Sequence, residues 1–303
     1  MGRFAALLLL ASHIHAAEST VDIDTAAKIY QAAAVREQVR ASLGAMPEHL
    51  RQLFARDVAA QLSEQQLTAI TAAAKRGFRI DVFEAPALRA LADNLDPATV
   101  TKVQAFLASD LGRRMVAADV AEAEAGEEIS DKIISGEVAV PSTPKRDLLF
   151  EKLERATRST ESQVQIYLAM GEAVAIGTAI GSGQDPKGVA ERARKSGEAS
   201  RAELEDSMRV PMRKILTYGY RTLSDSDLKR LLAFLDSPAG TRFVTAYNAS
   251  MEAGFRAMGK RTGEQLGEAL RELAQAQLET PAQNPPPPDI AAPVEQPATP
   301  QSP

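Results

Sequence analysis

Cysteine and tryptophan are absent from this 303-residue sequence, and only three residues are histidine. The lack of cysteine excludes disulfide bonds, thiolate nucleophiles and cysteine-ligated zinc or iron–sulfur sites. A formal net charge of −5 argues against nonspecific nucleic-acid binding, because neutralising phosphates needs a basic surface. The hydrophobic fraction of 45% and the charged fraction of 25% are typical of a globular protein. We therefore expect a folded protein with no nucleic-acid partner.

The first 16 residues have the pattern of a signal peptide. Arg3 precedes the apolar run Phe4–Ser12, and Ile14 and Ala16 suit the −3 and −1 positions of signal peptidase cleavage. The run is too short to cross a bilayer, which needs about 20 residues. We predict cleavage after Ala16 and a periplasmic or secreted protein with no stable transmembrane anchor. The alternative is a cytosolic protein whose first helix is apolar.

Residues 279–303 hold nine of the 17 prolines and contain no Leu, Phe or Tyr. Such a segment favours extended polyproline II conformations, and it has too little apolar surface to offset the entropy of folding. We predict a disordered tail. An inert, solvated tail is favoured over a spacer or a ligand for a proline-recognition groove, since proline content alone specifies no partner.

Between these ends the sequence predicts an all-α fold, because helix-forming residues dominate and no alternating strand pattern is convincing. Asp-Pro and Ser-Pro pairs mark helix starts, where proline lacks only an amide that would be unpaired anyway. The predicted helices span residues 24–43, 47–61, 64–93, 97–108, 110–135, 145–180, 186–221, 225–235 and 238–278. The stretch 137–144 is predicted to link two helical halves, 17–136 and 145–278.

Residues 95–119 and 223–247 align without gaps at a separation of 128, and nine of the 25 aligned positions are identical. The identical pairs include Phe106 and Phe234, Ser109 and Ser237, Gly112 and Gly240, and Arg114 and Arg242. Internal repetition at a fixed spacing indicates repeated structural units. We therefore predict a duplicated helical-hairpin bundle.

Each position of this motif has an expected structural role. The phenylalanine ends an apolar helix face, and the serine caps the second helix. Pro238 presets the backbone of that helix in the second copy. The glycine lets the helix start pass close to a neighbouring aromatic side chain, and the arginine bridges to a carboxylate or to carbonyls at a helix end. The motif is thus interpreted as a folding unit without chemistry.

The C-terminal copy resembles the family of exported bacterial proteins called domain of unknown function 2059. Members of that family have an apolar helix, an aromatic residue, Ser/Thr-Pro-x-Gly and a second helix. The matching residues here are Phe234, Ser237, Pro238, Gly240 and Phe243. The N-terminal copy is similar but diverged, with Asp110 in place of the proline. The resemblance implies an all-α periplasmic protein, and it implies no catalytic residue.

Few residues point to catalysis. His49 is the sole histidine after signal cleavage, and neither a zinc site nor a catalytic triad can be identified around it. The acidic run 122–131 is typical of a solvated helix face, because it lacks a calcium-binding loop. The alternative is a cation site or a pair of acid/base carboxylates. We predict no metal, no cofactor and no catalytic residue.

Two further segments have alternative interpretations. Residues 164–183 are the most apolar internal stretch, and Gly177 and Gly181 allow close helix approach. A buried helix is favoured over an apolar hairpin that meets lipid. The basic, aromatic segment 208–221, with Tyr218 and Tyr220, is interpreted as a helix whose Lys and Arg stems cover apolar surface. The alternative is a face for anionic lipid or polymer.

Two functions remain in consideration. The first is a non-catalytic envelope protein whose helical repeat holds a protein, lipid or polymer partner. The alternative is a carboxylate-based hydrolase or lyase acting on cell-wall glycan. A cleft with a half-buried Glu and convergent polar groups would favour the enzyme. An apolar groove between the halves would favour binding.

Overall fold

A computed structural model describes residues 20–48, 50–52 and 63–279, apart from the side chains of Glu127 and of residues 277–279. The predicted signal peptide 1–16, His49 and the predicted tail beyond residue 279 lie outside the described residues.

Within the described part of the chain the protein is all-α and contains no strand, which confirms the predicted fold class. A helical segment at 46–48 and 50–52 borders the undescribed residues. The helices described from end to end are α1 (Ile23–Ala32), α2 (Val35–Leu43), α3 (Glu64–Gly77), α4 (Ile80–Asn94), α5 (Pro97–Leu107), α6 (Asp110–Ser135), α7 (Pro144–Thr157), α8 (Ser159–Gly181), α9 (Pro186–Gly219), α10 (Asp225–Leu235) and α11 (Pro238–Glu279).

Several helices begin where the sequence predicts an N-cap. The Asp96 carboxylate accepts a hydrogen bond from the Thr99 amide at 2.8 Å and caps α5. The Asp185 carboxylate caps α9 in the same way. Ser63 and Gln66 form the reciprocal pair of a capping box at the start of α3. These bonds satisfy amides that have no partner inside the helix, so local sequence determines where these helices start.

Two predicted helices, 24–43 and 145–180, are each divided in the structure. Ala34 and Arg158 adopt left-handed backbone conformations, with φ of 50° and 54°. Such a conformation costs an L-residue about 1–2 kcal/mol, and neither position carries the glycine that usually marks it. Buried apolar side chains lie on both sides of each bend. Packing of both helices on the core therefore offsets the backbone strain.

The 42-residue helix α11 runs through the middle of the bundle and packs against α3, α4, α5, α8 and α10. Glycines let its backbone touch that of α8. A Cβ at Gly177 would collide with the Lys260 carbonyl oxygen, and one at Gly263 with the Val174 carbonyl oxygen. The close approach predicted for the glycines of α8 is thus observed, and its partner is α11.

Gly77 makes a similar contact between α3 and α11. A Cβ there would meet the backbone and the side chain of Thr262. Helix α3 ends at Gly77, and α4 starts at Ile80, so the predicted helix 64–93 is two helices. Phe78 has non-helical backbone angles, so the chain changes direction there and α4 packs against α11.

The two largest apolar cores both combine residues from before and after the segment 137–144. The first core surrounds Phe83 and Phe255, whose rings meet edge to face with centroids 5.2 Å apart. The second packs Phe150 of α7 against Leu228 of α10 and Leu111 of α6. The two halves of the sequence therefore share their interiors.

Candidate functional site

Segments 95–119 and 223–247 form the same turn between two helices. The Ser109 hydroxyl accepts a hydrogen bond from the Gly112 amide at 3.0 Å and donates one to the Phe106 carbonyl at 2.6 Å. Ser237 makes the equivalent bonds, at 3.1 Å and 2.6 Å, and Pro238 begins α11. Each serine thus ends one helix and caps the next, as expected from its side-chain chemistry.

The two motif glycines contact backbone, not an aromatic side chain. A Cβ at Gly112 would collide with the carbonyl oxygen of Phe106, and one at Gly240 with that of Phe234. The expectation of an aromatic neighbour is therefore wrong. Because the chain reverses so tightly at the serine, the first turn of the second helix lies directly on the last turn of the first.

The motif phenylalanines pack on one another. The rings of Phe106 and Phe234 are parallel to within 3°, and their centroids are 3.8 Å apart. Both rings are partly buried and touch both of the large apolar cores. The two turns therefore meet at their phenylalanines.

The motif arginines connect the two segments. Arg114 donates hydrogen bonds to both carboxylate oxygens of Asp227, at 2.9 and 3.0 Å. Arg242 lies 3.1 Å from a carboxylate oxygen of Asp96 and also donates to the Asn94 carbonyl. Hydrogen bonds from Arg114 hold the pKa of Asp227 well below its ordinary value. Asp96 is the N-cap of α5 and Asp227 is the third residue of α10. The two arginines therefore lie at equivalent positions, while their carboxylate partners are offset by three residues.

A partly open cavity of ≈ 350 Å³ has its largest contributions from α6 and α11, the helices that follow the two turns, and is also lined by residues of α2, α7, α8, α9 and α10. Ligand sites typically measure about 300–1,000 Å³. Residues separated by 128 positions contribute to the wall from both helices. These pairs are Met115 and Phe243, Val116 and Val244, Asp119 and Tyr247, and Ala123 and Met251. Part of the cavity wall thus comes from positions that the separation of 128 residues pairs with one another.

A small polar group interrupts the mainly apolar wall. The Tyr220 hydroxyl donates a 2.6 Å hydrogen bond to Oδ1 of Asp119, and the Tyr247 hydroxyl donates a 3.1 Å bond to Gln38. The Ser159 hydroxyl, also in the wall, is buried and has no partner within the described residues. An apolar wall with a few placed polar groups is the usual composition of a site for a small molecule.

The acidic groups of the cavity have shifted pKa values. Burial raises the pKa of Asp119 to about 7, against the opposing effect of the Tyr220 hydrogen bond, and the nearby Glu122 raises it further. Burial also raises the pKa of Glu122. The phenol pKa values of Tyr220 and Tyr247 are raised by burial as well, so both phenols stay protonated. At neutral pH, Asp119 exists in both protonation states.

Residues 206–269 match the family described as "Uncharacterized protein conserved in bacteria (DUF2059)". They form one DUF2059 domain. No curated protein and no solved structure matches the chain. The DUF2059 domain includes the C-terminal motif together with Tyr220 and Tyr247 of the cavity. Asp119 and Glu122 precede the domain, so the cavity joins its residues to others from outside it.

Sequence reasoning missed the acidic groups of the cavity. Glu122 was assigned to a solvated acidic face, yet it lines the cavity, while Glu124 and Glu128 are exposed as expected. Helical spacing was the available signal. Met115 lies one turn before Asp119 on α6, so the carboxylate shares its apolar face.

Tyr220 also differs from its predicted setting. The sequence predicts segment 208–221 as a helix whose Lys and Arg stems cover apolar surface, whereas Tyr220 is only 9% exposed and donates a hydrogen bond to Asp119. Arg221 fits the interpretation better, since its guanidinium lies over the ring of Tyr218 at 3.8 Å from the centroid. Just after the end of α9, Tyr220 therefore lines the cavity while the neighbouring Arg221 lies at the surface.

Two further properties concern possible ligands and membranes. Residues with described side chains include no group of three or more His, Asp or Glu that could hold a metal ion. Among the described helices, α8 is long and apolar enough to cross a membrane, as judged by length and composition. Of its most apolar stretch, 39% is buried inside the protein. Gly177 and Gly181 of this helix pack on α11, whereas Tyr167 is exposed.

Proposed function

We propose that the protein is a non-catalytic binding module of the cell envelope, and that its central cavity encloses a small, largely apolar molecule. The observation that carries this proposal is the ≈ 350 Å³ cavity between α6 and α11, with its mostly apolar wall. A protein or polymer partner would need an extended exposed surface, whereas this site is concave. Among the partners considered from the sequence, a lipid-like small molecule fits best.

We also propose that the cavity arose by internal duplication of a helical hairpin. Segment 95–119 and the motif of the DUF2059 domain share a serine cap, a glycine contact and an arginine bridge at the same separation. Two such hairpins paired about an approximate two-fold axis would leave equivalent positions facing each other, which is how the cavity wall is composed. Segment 95–119 is thus proposed to be a second, diverged copy.

Location in the envelope is proposed from the first 16 residues, which combine a positive residue, an apolar run and a cleavage pattern. To test this, the full-length sequence is expressed in a bacterium, and the mass of its product is measured in the envelope and cytosolic fractions. A mature chain that begins at Ala17 in the envelope fraction is expected. An uncleaved chain in the cytosol would contradict the assignment.

Binding can be tested by filling the cavity. Ala123 lines the cavity, whereas Ala121 on the same helix is exposed. The neutral fluorophore N-phenyl-1-naphthylamine should bind the mature protein at one saturable site. Binding should be weakened at least 10-fold by Ala123→Leu and be unchanged by Ala121→Leu. If both variants bind like the unmodified protein, the cavity is not the binding site.

One observation favours the alternative enzymatic function. A carboxyl group with a pKa of about 7 next to a second carboxylate is suited to act as a general acid near neutral pH. The mostly apolar wall fits a polar glycan chain less well. Release of soluble fragments from peptidoglycan, abolished by Asp119→Asn, would establish this function over the binding function.

A further inference from the structure

The carboxylates of the cavity have no positively charged partner. Within the described residues, Oδ2 of Asp119 accepts no hydrogen bond, and Glu122 makes neither a hydrogen bond nor an ion pair. The described residues that line the cavity include no Lys, Arg or His. No cation contributes to the electrostatics of either carboxylate, and for Asp119 the charged neighbour is the negative Glu122.

Two other sheltered carboxylates of the protein are paired with arginine. Asp227 binds Arg114 through both oxygens. Glu154, which is only 2% exposed, lies 3.8 Å from Arg209 and accepts a hydrogen bond from Thr160. Because a buried charge without a partner is unfavourable, proteins normally pair such groups. The cavity carboxylates lack such a partner within the described residues, a property they share with Glu161, whose Oε2 is buried and unpaired.

A cationic ligand would supply the positive charge that the cavity carboxylates lack. Tyr220 already orients one oxygen of Asp119 and leaves the other free. The same wall carries aromatic rings and methionines, including Phe243 and Met251, which would cover the apolar part of a ligand and attract positive charge to ring faces. An anionic ligand would instead meet two carboxylates and no cation, so the site repels it.

We propose that the cavity binds a small organic cation, an amine with an apolar chain or ring, whose ammonium group pairs with Asp119 and Glu122. This inference rests on the proposed function, since it names the chemical class of the ligand. The ammonium donates hydrogen bonds to the carboxylates, while the apolar part occupies the space lined by methionine and aromatic side chains. The recognised chemistry is positive charge joined to an apolar body.

The pairing has a definite pH dependence. The groups that face Asp119 are Glu122 on its own helix and the protonated phenols of Tyr220, the C-cap of α9, and Tyr247 on α11. Below pH 7 Asp119 is mostly neutral, and above pH 7 it is mostly charged. An alkylamine stays protonated in this range, because amines of the lysine type have a pKa of about 10.4. Amine affinity should therefore rise from pH 6 to pH 8, and binding should release protons.

Calorimetric titration of the full mature protein with n-octylamine, 1-octanol and octanoate tests the inference. The three probes share an apolar chain and differ in charge. We expect the amine to bind about 10-fold or more tightly than the alcohol, in line with hydrogen bonds between charged groups, and octanoate to bind most weakly. Asp119→Asn should remove the preference for the amine and keep alcohol binding. Asp131→Asn, at an exposed position on the same helix, should change neither the preference for the amine nor the affinity for the alcohol.

The outcomes separate this inference from the proposed function. Equal binding of amine and alcohol, or tighter binding of octanoate, overturns the cationic ligand and leaves an apolar binding site. An amine preference that survives both Asp119→Asn and Glu122→Gln also overturns it. If none of the three probes binds, the cavity site itself is refuted. Circular dichroism of each variant confirms that the fold is retained.

Discussion

Asp119 and Tyr247 occupy equivalent positions of the two repeated segments, and both line the same cavity. The serine and the glycine of the turn are the same in both segments, because capping and close backbone contact permit few alternatives. Several cavity positions instead differ, as in the pair Met115 and Phe243. The repeated segments thus share a scaffold while the two sides of the site have different chemistry. Such asymmetry suits a ligand with a polar end and an apolar end.

The phenylalanine stack should couple the two turns energetically. Phe106→Ala and Phe234→Ala are each expected to lower the free energy of unfolding by about 2–3 kcal/mol, since both rings are partly buried. The double variant should lose less than the sum by about 0.5–1.5 kcal/mol, the contribution of an aromatic pair. Urea unfolding measures all three. Simple additivity would mean that the rings do not stabilise each other. Tyr167→Ala, at an exposed position, should have little effect.

The bridge between Arg114 and Asp227 should be visible in the pH dependence of stability. Asp227 has a lowered pKa in the folded protein, so its contribution is present above its unfolded pKa of about 3.9 and declines as the pH falls below that value. Asp227→Asn should therefore destabilise the protein clearly at pH 7 and less at pH 3. Asp236→Asn, at an exposed position, is the control. An effect of Asp227→Asn that is independent of pH would exclude the charge as its cause.

The motif glycines should tolerate no side chain. Gly240→Ala places a Cβ against the Phe234 carbonyl, and we expect a loss of about 1–3 kcal/mol from overpacking. Gly171 in α8 has open space around its Cα, so Gly171→Ala should stabilise the helix by about 0.5–1 kcal/mol. Thermal unfolding of both variants compares them directly. If both substitutions changed the stability equally, the contact with the Phe234 carbonyl would not be what excludes a side chain at position 240.

The sequence was informative where a local rule determined the structure. Asp96 and Ser63 cap the predicted helices because a side-chain oxygen beside free amides needs no tertiary context. Ser109 and Ser237 follow the same rule, so both turns could be located from the repeat alone. Arg114 was expected to reach a carboxylate, but its partner, Asp227, depends on how the two hairpins pair.

What the sequence did not reveal depends on packing. The bends at Ala34 and Arg158 carry no glycine or proline, and they exist because both flanking helices bury apolar surface. The role of Asp119 was hidden for the same reason. A carboxylate on a helix is usually solvated, and its burial here depends on α9 and α11, which are far away in sequence. Charge patterning alone therefore cannot separate Glu122 from its exposed neighbours.

Asp119 should make the protein less stable as the pH rises. Its pKa is about 7 in the folded state and about 3.9 in the unfolded chain, so the folded state holds more protons between these values. Stability from this group is full below about pH 4 and falls until the pH exceeds about 7. Asp119→Asn, which is always neutral, should raise the melting temperature relative to the unmodified protein more at pH 8 than at pH 5. Asp131→Asn should leave the pH dependence of the melting temperature unchanged. If Asp119→Asn also left it unchanged, the result would show that this carboxyl group is not desolvated by the cavity.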